Sequence, residues 1–240
     1  MDGPLILSIE TSAGCGSVAL TRGFLRTGFV VAEYTHRPDK THSRRLLGLV
    51  EHLMRTTNTD WPAIDAVSVS LGPGSFTGLR IGLAAAKGLA LAAGAPLLGI
   101  PTLEALAWQC YGTERPICCL LDARKGQVYA ARYSFENDRL KSRGETRAVY
   151  PQELAGEIDE PTLGVGPGIQ AYPEIFLHHQ CIQCIPQGGA YPRASMVGFL
   201  GARQLMDNAV APPETLVPFY VRPSEAQINR AKKRKAATGK

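Results

Sequence analysis

Apolar positions along this chain run together in short blocks, alternate, or recur at helical spacing, and the succession of these patterns predicts an α/β protein. Leu5 to Glu10 is an apolar run closed by an acid. After the turn Ser12-Ala13-Gly14-Cys15-Gly16, Ser17 to Arg22 forms a second strand-like segment, so the pair reads as a hairpin, and Gly28 to Tyr34 supplies a third antiparallel strand. Thr41 to Thr57 places Leu46, Leu47, Val50, Leu53 and Met54 at helical spacing with Arg44, Arg45, Glu51 and Arg55 on other faces, which predicts a first amphipathic helix. Val67 to Leu71 is a buried strand that runs into Gly72-Pro73-Gly74-Ser75-Phe76-Thr77-Gly78, and a helix from Leu79 to Ala93 stops at Gly94. A strand at Leu97 to Ile100, a helix N-capped by Thr102 and reaching Tyr111, and a strand from Pro116 to Leu121 ending at Asp122 follow.

At Asp122 the opening plan returns. Ile117 to Asp122, the polar turn Ala123-Arg124-Lys125-Gly126 and the alternating stretch Gln127 to Ala131 repeat the strand, acid, glycine-containing turn and strand that begin at Ile6. Arg139 to Val149 predicts a third strand for this second copy, Pro151 to Ile158 a helix, and Thr162 to Val165 a strand leading into Gly166-Pro167-Gly168. A last helix spans Arg193 to Asp207, and Pro212, Pro213, Pro218 and Pro223 punctuate the exit. The expected organisation is an N-terminal lobe over residues 1–104, a similar C-terminal lobe over 105–223 and a tail over 224–240.

Composition narrows the class without changing the picture. With 45% apolar and 20% charged residues, disorder, collagen and coiled coil are excluded. No apolar run approaches the roughly 20 residues that cross a bilayer, and Met1-Asp2-Gly3-Pro4 does not open a signal peptide, so a cytoplasmic protein without membrane contact is expected. Cys15, Cys110, Cys118, Cys119, Cys181 and Cys184 sit mostly in apolar stretches, which suits reduced, buried thiols. The net charge of +5 resides in the tail, where Arg230, Lys232, Lys233, Arg234, Lys235 and Lys240 face Glu225 alone. Such a tail reads either as a solvated terminus or as a phosphate-binding arm.

The candidate chemistry is thin. Glu10, Thr11 and Ser12 in a glycine-containing hairpin could cradle phosphate, or Glu10 could simply cap the turn. Gly72, Gly74 and Ser75 fit neither a Walker A loop, which would need Gly where Thr77 stands, nor Gly-x-Gly-x-x-Gly, since the third glycine arrives at Gly78. Ser75 lacks the context of a hydrolase nucleophile. His36, His42, His52, His178 and His179 form no metal-binding pair, and the lone Cys181-x-x-Cys184 is two ligands short of a zinc site, so no metal is expected. Gly78, Gly82, Ala86, Ala90 and Gly94 recur every four residues, a stripe that lets either the protein's own sheet or a partner helix come close.

Ile6-Leu7-Ser8-Ile9-Glu10-Thr11-Ser12, the block Leu71-Gly72-Pro73-Gly74-Ser75-Phe76-Thr77-Gly78-Leu79-Arg80-Ile81-Gly82 and Leu121-Asp122-Ala123-Arg124 closely resemble the TsaB (YeaZ) family from about Leu5 to Pro223. The resemblance implies two lobes of the actin-like, Hsp70-like ATPase (RNase H-like) fold. It also implies a non-catalytic subunit that pairs with TsaD in the bacterial complex transferring threonylcarbamoyl to N6 of adenosine 37 in tRNAs reading ANN codons. That complex recruits the ATPase TsaE, with ATP and a metal belonging to the partner subunits and tRNA reached through the assembly. His42 is followed four positions on by Leu46, so the His-x-x-x-His metal pair of TsaD is missing. Family members form homodimers alone and heterodimers with TsaD through the N-lobe helices, which assigns Leu46, Leu47, Val50, Leu53, Met54, Leu79, Gly82, Leu83, Ala86 and Ala90 to the partner interface. The phosphate-like loops at Glu10, Thr11, Ser12, Gly72, Gly74, Ser75 and Asp122 are then vestigial. The competing reading is a free-standing ATPase or small-molecule kinase of the same fold that uses Glu10 and Asp122 around a nucleotide.

Overall fold

The computed structural model describes residues 3–36, 43–186 and 189–222, with the side chains of 43–45 excepted. Strands β1 (Leu5–Glu10), β2 (Gly16–Arg22) and β3 (Phe29–His36) form an antiparallel meander, and β4 (Ala66–Gly72) and β5 (Leu97–Pro101) add in parallel on the other side of β1, giving the order β3-β2-β1-β4-β5. Helices α1 (Ser43–Thr56) and α2 (Phe76–Ala93) cover one face of this sheet.

After α3 (Thr102–Trp108) the plan repeats. Strands β6 (Ile117–Arg124), β7 (Gln127–Glu136) and β8 (Arg139–Ser142) meander, β9 (Arg147–Val149) also pairs with β7, and α4 (Pro151–Gly156) follows. Strands β10 (Thr162–Val165) and β11 (Ile182–Cys184) add in parallel beyond β6, with the short helices α5 (Gly168–Ala171) and α6 (Pro173–Phe176) between them. The sheet order β11-β10-β6-β7-β8 is that of the first sheet, element for element. This is the duplicated plan of the actin-like fold.

Several expected boundaries move for local reasons. Helix α2 begins three residues before Leu79, because Ser75 takes the N-cap and its hydroxyl accepts from the Gly78 N–H at 3.3 Å. Its end falls where the sequence places it, with Gly94 in the left-handed region at φ 62°. Thr102 is not a cap: Pro101 holds that position, Thr102 is the first helical residue, and its buried hydroxyl has no partner. The single strand expected over Arg139 to Val149 divides into β8 and β9 around Gly144 at φ 125°. By length and composition α2 is long and apolar enough to cross a membrane, the one such helix among the described residues, and its buried face packs on β4. His42 and the tail over 224–240 lie outside the described residues.

The last helix, α7 (Ala194–Met206), changes the lobe boundaries. It was expected in the C-terminal lobe, yet it packs across β1, β2 and β4, on the face of the first sheet opposite α1 and α2. Gly198 and Gly201 make this possible: a Cβ on Gly198 would lie 3.0 Å from Ser8 Oγ, and one on Gly201 would lie 2.8 Å from Ser68 Cβ. Ser68 Oγ donates to the Val197 carbonyl at 3.2 Å, and Glu33 accepts from the N–H and hydroxyl of Ser195 at 3.0 Å each, tying the helix start to β3. Gly198→Leu is therefore expected to lower unfolding stability by about 1–3 kcal/mol through overpacking, read as a drop in the urea midpoint at unchanged slope; an unchanged midpoint would contradict this packing.

The six cysteines, all among the described residues, form no disulfide. Burial pushes the Cys110 thiol up to about 11 and the Cys118 thiol to about 12, so both are inert near neutral pH. Cys181 and Cys184 are half-buried at the edge strand β11 rather than fully buried.

Candidate functional site

The C-terminal ends of the central parallel strands carry every loop that resembles a phosphate site, and the two lobes build these loops alike. Glu10 closes β1 and accepts from the N–H of Ser12, two residues on, at 2.5 Å; Asp122 near the end of β6 accepts from the N–H of Arg124, also two residues on, at 2.8 Å. The two acids thus hold equivalent turns.

In the first lobe the donors of this turn are engaged inside the fold. The Ser12 hydroxyl donates to the same Glu10 oxygen, the Thr11 hydroxyl donates to the Gly78 carbonyl at 2.8 Å, and the Ser12 carbonyl accepts from Ser75 N–H at 2.7 Å. A Cβ on Gly74 would stand 2.5 Å from the Ser12 carbonyl oxygen, and one on Gly78 or Gly82 would overlap the Thr11 carbonyl or its hydroxyl. These three glycines let the loop after β4 and the first turns of α2 close onto the hairpin. Glu10, Thr11 and Ser12 are all buried. Phosphate binding requires N–H and hydroxyl groups aimed outward, whereas the Thr11 hydroxyl and the N–H and hydroxyl of Ser12 point to partners inside the fold. Asp122, by contrast, is half-exposed and ion-paired with Arg124 at 3.4 Å, and Arg222 caps that second turn, donating to the Ala123 carbonyl at 3.2 Å and to Gln127 Oε1 at 3.0 Å.

Burial pushes the pKa of Glu10 above the ordinary glutamate value, outweighing the interactions with Ser12 and Ser70 that pull it down. Protonated Glu10 therefore favours the fold fully below the ordinary glutamate range, and that contribution is lost as pH rises through the raised folded-state value. Glu10→Gln keeps an acceptor for Ser12 and removes the titration. Its stability relative to the parent is expected to improve as pH rises above the ordinary glutamate range and to level off above the raised folded-state value, read by urea unfolding; a difference independent of pH would contradict the assignment.

The helix residues assigned to a partner interface require a correction. Leu46, Val50, Leu53, Met54, Leu79, Leu83, Ala86 and Ala90 are all at most 7% exposed, Gly82 is buried beside Thr11, and the larger of them form the core of the first lobe with β1, β2 and β4. Only Leu47, at 54%, faces outward. The broad apolar face of each helix is the one the sheet needs, so the stripe through Gly82 serves the protein's own hairpin.

The outward faces of α1 and α2 present a different set. On α2, Ala84, Gly88 and Ala92 are exposed at four-residue spacing beside Leu91 at 85%, and a Cβ on Gly88 would meet nothing. A groove of about 400 Å³ separates the helices, lined among others by Leu47, Glu51, Met54, Arg55, Trp61 and Leu89. A glycine inside a helix costs stability relative to alanine, and Gly88, unlike Gly82, gains no internal contact for that cost.

The comparisons agree in direction. A family model described as TsaD, tRNA N6-adenosine threonylcarbamoyltransferase, matches residues 30–230. A relative from Escherichia coli named tRNA threonylcarbamoyladenosine biosynthesis protein TsaB is 37% identical over 177 residues, covering 71% of this chain and 74% of the relative. Its namesake from Bacillus subtilis is 32% identical over 233 residues, covering 92% and 96%. The solved structure of YeaZ from Pseudomonas aeruginosa superposes with a TM-score of 0.75 at 25% identity over 90% of this chain and 99% of that one.

Proposed function

We propose, because this chain belongs to the TsaB family of tRNA threonylcarbamoyladenosine biosynthesis proteins, that it is the non-catalytic subunit of a cytoplasmic complex modifying adenosine 37 of tRNA. Its partner in this reading is TsaD, with TsaE joining the assembled complex, and a homodimer forms when the chain is alone. The observation that carries the non-catalytic role is the closed first hairpin. The Thr11 hydroxyl is turned to Gly78 and the N–H and hydroxyl of Ser12 to Glu10, and Ser75 and the glycines of α2 pack against the turn.

The pairing surface in this reading is the exposed face of α1 and α2 around Leu47, Gly88 and Leu91. An exposed leucine flanked by small residues fits the centre of a helix-packed interface, where close backbone approach and apolar burial coincide. Mutual burial of the same patch on two copies accounts for the homodimer, and TsaD, the related subunit, takes the place of the second copy in the heterodimer.

The reading is tested by reconstitution. With threonylcarbamoyl-adenylate supplied as donor and AMP as the leaving group, threonylcarbamoylation of an unmodified tRNA by TsaD and TsaE is expected to depend on this chain, while the chain alone transfers nothing; turnover by the chain alone would overturn it. Calorimetric titration of the isolated chain with ATP and magnesium is expected to give no saturable heat, and a saturating isotherm would contradict the closed hairpin and favour the kinase reading.

A further inference from the structure

We propose that residues 215–222 act as a strap that couples the outward face of α2, in the first lobe, to the β6–β7 turn of the second, so that a partner seated on α2 sets how firmly the two lobes close. The partner half of this inference rests on the function proposed above; the strap itself does not.

The lobes meet at both ends of their sheets, and the two contacts differ in kind. At the strand ends remote from Glu10 and Asp122, Leu25 of the β2–β3 turn joins an apolar cluster with Tyr111, Phe135 and Leu140. There Arg26 pairs with Asp138 of the β7–β8 turn at 2.7 Å, and the Tyr111 hydroxyl donates to the same carboxylate at 2.8 Å. Apolar burial is non-directional, so this end serves as a pivot. At the ends that carry the two acids, the strap crosses from one lobe to the other.

Its anchors are specific on both sides. Leu216 seats on the first-lobe core, and Phe219 N–H donates to the Leu71 carbonyl at 2.7 Å. A Cβ on Gly72 would stand 2.6 Å from the Phe219 carbonyl oxygen, so Gly72 admits the strap. Tyr220 lies against the Phe76 ring at 5.2 Å, and its hydroxyl accepts from Arg80 Nε at 3.0 Å. Two residues on, Arg222 donates to Gln127 Oε1 at 3.0 Å and to the Ala123 carbonyl at 3.2 Å. Leu216, Pro218 and Tyr220 turn inward while Val217 and Phe219 are exposed, the alternation of an extended segment, and six such steps reach about 20 Å.

The first-lobe anchors belong to the face assigned to pairing. Phe76 and Arg80 stand on the same exposed line of α2 as Ala84, Gly88 and Leu91. A partner that covers this line also shields the bond between Arg80 and Tyr220 from water, which strengthens a charge-assisted hydrogen bond. Pairing therefore favours the closed strap, and by linkage the closed strap favours pairing.

Hydrogen exchange of the full chain, read by mass spectrometry, tests the coupling. The ring and hydroxyl of Tyr220 contact the first lobe, yet Tyr220→Ala is expected to speed exchange over residues 123–128 of the second roughly tenfold. Arg222→Ala should do the same, the double variant should add little, and β1 and β6 should exchange as in the parent. Tyr220→Phe, which keeps the ring and removes only the bond from Arg80, should give a smaller rise at the same residues. Faster exchange confined to the first turns of α2 in both Tyr220 variants would overturn the proposal. On mixing with TsaD, residues 123–128 should slow in the parent and not in Arg222→Ala; equal slowing in both would mean that the partner covers the turn directly, and would overturn the coupling. A chain that fails to pair with TsaD yet transmits Tyr220→Ala to residues 123–128 overturns the functional reading and leaves the strap standing.

Discussion

Gly82→Leu is expected to cost the first lobe about 3 kcal/mol, the upper end of overpacking penalties. A Cβ at this position already overlaps the Thr11 hydroxyl, and a full leucine would drive α2 off the hairpin. The loss would include the buried bond from Thr11 to the Gly78 carbonyl, leaving two polar groups without partners. Gly88 provides the contrast on the same helix. It is exposed, with open space at the Cβ, so Gly88→Ala should raise stability by up to about 1 kcal/mol through helix propensity alone. Urea unfolding of both variants measures the pair. A Gly82→Leu protein with the parent's midpoint but no affinity for TsaD would return the glycine stripe to the partner interface and contradict the internal packing described above.

Leu47→Glu combined with Leu91→Glu is expected to weaken pairing with TsaD by at least about 100-fold while leaving the urea midpoint of the isolated chain unchanged. Both leucines are exposed in the monomer, at 54% and 85%, so the fold loses almost no buried area when they change. At the centre of an interface each would bury most of its side chain against the partner, and a glutamate there must shed its hydration without a matching cation. Calorimetric titration with TsaD reads the affinity. An unchanged affinity would place the interface elsewhere on the chain.

How far the sequence carries is visible at individual residues. Strands β1, β4 and β10 are short, mostly apolar blocks bounded by an acid or by glycine, and the 112-residue echo of Glu10 in Asp122 maps onto the same carboxylate-to-backbone turn in both lobes. These features are local, so they are legible. The position of α7 is not, because the residues that admit Gly198 and Gly201 are Ser8, Thr21 and Ser68, more than 120 residues away in sequence. The same limit explains the interface. An amphipathic pattern identifies which face of a helix is buried, and cannot distinguish burial by the helix's own sheet from burial by a partner; Leu53 and Ala86 went to the sheet, while Leu91, which interrupts the pattern, stayed outside. The burial of Glu10 was equally hidden, since it depends on Gly74 and Gly78 closing over the hairpin from a loop more than 60 residues on.

In the reading proposed above, this chain acts by pairing with TsaD. Light scattering after size exclusion, on the chain alone and mixed with TsaD from the same organism, tests it most directly. The predicted result is a homodimer that converts to a one-to-one complex on mixing. Two unchanged peaks at concentrations well above micromolar would contradict it.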